Sequence, residues 1–134
     1  MIVVDTSALI EYYRPGGTRL AQEAVAEAIE LDAAAVNGII QVELIAFARD
    51  DSSQRKLTSD LRCLHYLPLE LQVFELSIDL GFGLRRKGIT VPATDLIIAA
   101  SALRAGALLY HLDSHYDQIA QHSALLARNL STGL

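Results

Sequence analysis

"IVVDTS", residues 2–7, is the stretch whose reading decides the fold: three apolar residues, a carboxylate at Asp5, then the hydroxyls of Thr6 and Ser7. The apolar triplet predicts a short buried strand over residues 2–4. Two explanations serve the polar trio. Asp, Ser and Thr are preferred at helix starts, and open α/β sheets gather ligands just beyond the carboxyl ends of their strands. The other acids of the chain have to decide between them.

A second run, "ALLYHLD" (residues 107–113), repeats the pattern, with the clearest strand of the chain over 107–112 ending in Asp113. Between the two runs, strand and helix signals alternate. "RPGG" (14–17) is a turn, because Pro fixes one dihedral and Gly frees the rest. Thr18 is expected to cap a helix to about Leu31, with Leu20, Ala24, Val25, Ala28 and Ile29 on one face. Residues 32–36 read as a second strand, and Asn37 as the cap of a helix over 38–50 carrying Ile40, Glu43, Leu44 and Phe47. Further helices are predicted over 51–63 and 70–87, separated by a strand in 65–69, and Gly88 closes the second. Leu71, Phe74, Ile78 and Phe82 line one side of that longer helix. Thr94 is expected to cap a helix over 95–104 that Gly106 stops, and the last segment, from Gln118, reads as a short helix and an edge strand. Such alternation predicts a parallel sheet covered on both faces, hence an α/β fold.

The composition agrees. At 134 residues, 51% of them hydrophobic, the chain suits a single domain over 1–134 with one core, and it is too apolar for a disordered segment. No basic, apolar leader precedes Asp5, and "LIIAASAL" (96–103) is shorter than the ~20 residues needed to cross a bilayer. The expectation is a cytoplasmic protein with no membrane partner. The single cysteine, Cys63, is expected to be a buried small hydrophobe in a reducing compartment. The net charge of −5 predicts little non-specific affinity for nucleic acid, although a local basic patch or a bound cation reverses the field where it matters.

Four acids stand at element ends or among apolar neighbours: Asp5, Glu43, Asp95 and Asp113. Strand ends in a parallel sheet share an edge, so Asp5 and Asp113 converge if their strands are neighbours, and Asp95 joins them from the start of its helix. Two carboxylates ~4 Å apart repel by about 1 kcal/mol in water and about 4 kcal/mol at an effective dielectric of 20. Either some stay protonated or a divalent cation joins them, and an oxygen donor set favours Mg²⁺ or Mn²⁺. Singly, Asp95 reads as a helix cap, Asp113 as a turn, and Glu43 as a partner for Arg49 or Arg104. Together the four read as a site.

The order of these acids, with "VVDTSALI", "QVELIAFA" and "PATDLIIAASALRAGALLYHLD", resembles the PIN-domain ribonucleases, and within them the small bacterial toxins of the VapBC toxin–antitoxin type. The resemblance spans nearly the whole chain. It implies a PIN-like three-layer fold and a metal-dependent endoribonuclease that is inhibited by a cognate antitoxin and forms a homodimer. Carried over by position, Asp5, Glu43, Asp95 and Asp113 match the family's acidic quartet. Asp5, Asp95 and Asp113 would bind Mg²⁺ or Mn²⁺, Glu43 would position or deprotonate water, and Thr6, Ser7 and Asp117 would orient carboxylates or water around them. The chain departs from many relatives at "YHLD", where His111 and Leu112 stand in place of a hydroxyl-bearing segment. That departure sustains a rival class, a catalytically impaired PIN-like module that binds RNA or protein.

Other fingerprints are absent: no phosphate-binding glycine loop, no aspartyl-phosphatase pair, no receiver-type acceptor with its lysine. Arg85, Arg86 and Lys87 form the densest basic cluster. They read as a solvated helix end or as a phosphate-binding surface for RNA, and Arg14 is a weaker candidate of the same kind. Among the histidines, His111 and His115 draw notice because they flank Asp113.

Overall fold

The computed structural model describes residues 1–131. Along them run β1 (Ile2–Val4), α1 (Thr6–Tyr13), α2 (Arg19–Glu30), β2 (Ala34–Val36), α3 (Gly38–Ile45) and α4 (Asp51–Arg62). There follow β3 (His65–Tyr66), α5 (Leu71–Arg85), α6 (Ala93–Ala105), β4 (Leu108–His111), α7 (Ser114–Gln121) and β5 (Ala127–Asn129). The five strands pair in the order β3-β2-β1-β4-β5, and every pairing is parallel. Helices cover both faces, since the adjacent Val3 and Val4 point to opposite sides and are both fully buried.

This order places the site. From β1 the chain winds outward to β2 and β3, then returns to set β4 on the other side of β1, with Val3 beside Leu109 and Val4 beside Tyr110. The winding reverses between β1 and β4, and a crevice opens there outside the carboxyl ends of the strands. Asp5 and Asp113 are the residues that leave those two strands at that edge.

Several local expectations are corrected. α1 directly follows Asp5, whose side chain accepts from the Ser7 N–H as a helix cap. α3 ends at Ile45, leaving Phe47 outside the helix and exposed. Thr18 stands at the start of α2, but its hydroxyl donates to Glu11 rather than capping the helix. α6 begins at Ala93 after Pro92, so Asp95 lies inside the first turn instead of directly after a Thr94 cap. α7 begins at Ser114, four residues before the expected start, with Asp113 as its cap. Cys63 is exposed, not buried.

α5 packs through the side opposite its bulky apolar stripe. Val73, Ser77 and Leu84 are buried, and Gly81 lies so close to α6 that a Cβ there would sit 2.7 Å from Leu96. Small residues let the two helices approach. The bulky stripe of Leu71, Phe74, Ile78 and Phe82 is left outward and exposed. α4, by contrast, buries only Leu61 and carries no apolar surplus.

Candidate active site

The edge of the sheet collects side chains from five elements. Asp5 is 4% exposed. Its Oδ2 accepts from the Ser7 N–H at 3.0 Å and the Ser7 hydroxyl at 2.5 Å. Ser7 Oγ also accepts from the Leu112 N–H at 3.0 Å, fastening the exit of β1 to the exit of β4. Capping and site membership are therefore compatible for Asp5, because the cap uses Oδ2 and leaves Oδ1 for a partner across the sheet edge.

Asp95 comes from the first turn of α6, a helix buried nearly all round by Ile98, Ala99, Ala100, Ser101 and Ala102. Burial, then the charges of Asp113 and Asp5, push its carboxyl up to about 6, against a smaller opposing pull from His115. Asp113 caps α7, its Oδ1 accepting from the His115 N–H at 2.9 Å. The His115 ring closes the group, with Nδ1 3.0 Å from Asp95 Oδ2 and 3.0 Å from Asp113 Oδ1. Asp95, Asp113 and His115 offer donor atoms within 4.8 Å of one another, a group that could hold a metal ion.

Asp5 joins this group through Tyr116. The fully buried phenol donates to Asp5 Oδ1 at 2.7 Å and lies 3.3 Å from Asp95 Oδ1. Burial and the neighbouring carboxylates push the phenol far above its ordinary range, so it remains a donor. Glu43 reaches the site from α3, where the Thr6 hydroxyl donates to its Oε1 at 2.8 Å. It pairs with neither Arg49 nor Arg104. Arg104 turns to Glu70 instead, at 3.9 Å.

The remaining candidates lie further out. Asp117 accepts from Asn129 Nδ2 at 2.8 Å and faces His111 Nε2 at 3.5 Å. His111 is fully buried and held neutral mainly by that burial, and its Nδ1 accepts from the Asp113 N–H at 3.1 Å. It thus braces the backbone of Asp113 from behind. Arg14 stands at the far end of α1, paired with Glu11 at 2.7 Å, and is not brought to the acids. Arg85, Arg86 and Lys87 are exposed at the end of α5, and the short link 88–92 carries the chain from them to the start of α6 near Asp95. His65 and His122 sit elsewhere, against Asp32 and Lys87. The sequence reading missed Tyr116 altogether. Its signal is positional, because a side chain in the first turn after a strand-end Asp shares that edge.

Four acids from four segments thus stand at one edge of the parallel sheet, with Thr6 donating to Glu43, Ser7 to Asp5, and Tyr116 lying between Asp5 and Asp95. The family model described as PIN domain matches residues 2–121. The chain belongs to the PIN-domain family. This PIN domain is 34% identical over 131 residues to ribonuclease VapC11 of Mycobacterium tuberculosis, covering 95% of this chain and 97% of the relative. Its fold also superposes on solved structures. FitAcB from Neisseria gonorrhoeae matches with a TM-score of 0.79 at 19% identity, over 97% of this chain and 98% of that one. VapBC2 from Rickettsia felis, bound to a DNA fragment from its promoter, matches with a TM-score of 0.73 at 18% identity, over 96% and 98%. The α/β architecture expected from the alternating signals is thereby borne out. No described helix of this PIN domain is long and apolar enough to cross a membrane.

Proposed function

We propose that this PIN domain is a divalent-metal-dependent endoribonuclease and the toxin half of a type II toxin–antitoxin pair. The observation that carries the reading is the convergence of Asp5, Glu43, Asp95 and Asp113 on one crevice, knitted by hydroxyls, with Asp95 pushed up to about 6 by burial and the other two aspartates. A cluster of that charge is poorly neutralised from within, and hard carboxylate oxygens suit Mg²⁺ or Mn²⁺. Asp5, Asp95 and Asp113 would hold such an ion, directly or through water. When bound, it supplies Lewis-acid stabilisation of the charge that grows on the phosphate oxygens during hydrolysis.

The chain's own groups do the rest. Glu43, aimed by the Thr6 hydroxyl, orients the attacking water and takes its proton as the new P–O bond forms and the bond to the leaving ribose oxygen breaks. Ser7 and Tyr116 hold the Asp5 carboxylate in place before substrate arrives. Asp117 acts at a distance, through His111, on the backbone of Asp113.

RNA approaches an acidic protein, so a positive surface is needed beside the crevice. Arg85, Arg86 and Lys87 supply it; Arg14 is tied to Glu11 and contributes less. The outward stripe of α5 forms the homodimer contact, as its exposed apolar side chains demand a partner. A cognate antitoxin is the second protein partner, consistent with the VapBC assembly among the structural neighbours. The protein works in the cytoplasm, where such RNA is found.

Purified chain incubated with cellular RNA should cleave it in Mg²⁺ or Mn²⁺ and stop in excess EDTA. Asp5→Asn should lower the rate by orders of magnitude, roughly 10²-fold or more. Cleavage by Asp5→Asn at the wild-type rate would overturn the assignment of the site, and full activity in EDTA would overturn the metal dependence.

A further inference from the structure

The donor set of the crevice is not all oxygen. His115 forms one group with Asp95 and Asp113, its Nδ1 3.0 Å from one oxygen of Asp95 and 3.0 Å from one oxygen of Asp113. Nδ1 stands at hydrogen-bonding distance from both oxygens, and about 3 Å is also the separation of adjacent ligands around an octahedral ion with bonds of about 2.1 Å, so a cation could replace the proton between them. The ring is held there by its own backbone, whose N–H donates to Asp113 Oδ1 in the first turn of α7. The Asp113 cap therefore keeps the backbone of His115 beside its carboxylate.

We infer that His115 Nδ1 is a direct ligand of the catalytic cation and biases this centre toward Mn²⁺ over Mg²⁺. The inference rests on the metal-dependent reading above and adds the identity of the ion. The chemistry is that of ligand softness. Mg²⁺ holds to oxygen and gives up water reluctantly, whereas imidazole nitrogen is a good ligand for first-row transition ions. Each of the alternatives for His115 has a different signature. A ring that merely hydrogen-bonds the two carboxylates tightens or loosens the site for both ions alike. A ring that coordinates changes the ratio between them.

The experiment uses the full chain stripped with EDTA and returned to metal-free buffer. Calorimetric titration with MnCl₂ and with MgCl₂ gives the two dissociation constants for wild type, His115→Asp and His115→Asn. Wild type should favour Mn²⁺ over Mg²⁺ by at least about tenfold more than His115→Asp does, because the substitution restores an all-oxygen set. His115→Asn should weaken Mn²⁺ binding more than Mg²⁺ binding. Pulsed electron paramagnetic resonance on the Mn²⁺-loaded wild type should show the modulation of a directly bound ¹⁴N nucleus, and the signal should vanish in His115→Asp. That reading on wild type stands whether or not a variant folds. An unchanged ratio with no nitrogen modulation overturns the inference while leaving a metal-dependent centre intact. Failure of wild type to bind either ion overturns both.

Discussion

Replacing Asp95 by Asn should stabilise the metal-free protein while removing its activity. Asp95 is 9% exposed, and burial with Asp113 and Asp5 nearby pushes its carboxyl up to about 6 from an ordinary value of 3.8. Between those two pH values the folded chain keeps a proton that the unfolded chain has released. Stability therefore falls as pH rises through the window, and above it the ionised side chain costs the fold about 3 kcal/mol. Asn has the same shape, still accepts from Tyr116, and carries no charge to bury. At pH 7.5 in EDTA, Asp95→Asn should be more stable than wild type by about 3 kcal/mol, shrinking to about 1 kcal/mol at pH 4.5. In urea that moves the midpoint upward by roughly 1–2 M. Saturating Mn²⁺ or Mg²⁺ should narrow or reverse the order, because the ion stabilises the chain that binds it. Equal midpoints at pH 7.5, or a lower one for Asp95→Asn, would refute the claim that charge crowding is stored at this edge.

Tyr116→Phe keeps the ring but strips Asp5 Oδ1 of its donor inside a buried site, so the metal-free protein should lose about 1–3 kcal/mol by chemical denaturation. The loss should shrink when a divalent ion is present to take that oxygen. Replacing Arg85, Arg86 and Lys87 together by Ala should weaken RNA binding and flatten its salt dependence, by ~0.7 in log–log slope for each lost phosphate contact to a single strand. Binding measured across a salt series checks this, and identical slopes would reduce the cluster to a solvated helix end. Ile78→Glu with Phe82→Glu places charge on the outward stripe of α5, so light scattering at micromolar concentration should report monomer for the variant and dimer for wild type. A wild type that is already monomeric there would remove the stripe from the dimer contact.

The strands and the acids were legible because each rests on a local contrast. An apolar run that ends abruptly in Asp, as at Val4–Asp5 and at Leu112–Asp113, marks a buried strand leaving the core for a ligand-bearing edge. Other features depend on partners that periodicity does not name. The apolar side of α5 is obvious in sequence, yet the side that packs is the smaller one, Val73, Ser77, Gly81 and Leu84, because close approach to Leu96 of α6 excludes bulk. "SHYD" reads as a turn rich in polar residues, so the start of α7 was placed late and Tyr116 was passed over. Its role needs two carboxylates that lie far away in sequence. The habits of its residue type place Cys63 in the core, but it falls at the end of α4, a helix whose only buried side chain is Leu61.

The insertion of β4 beside β1 has a consequence for the chain while it is being made. Asp5 leaves the ribosome early, but the phenol that steadies it comes 111 residues later, and the β4 strand that closes the edge of β1 arrives only shortly before. Until then β1 has an open side and the acidic crevice lacks Asp113, His115 and Tyr116. If these residues form the centre proposed above, a growing polypeptide should not cleave the RNA around it, including the message that encodes it. A product cut short before β4 should be an insoluble fragment, its edge strand exposed, rather than a poison. Toxicity is thus a property that the molecule acquires near the end of its own synthesis.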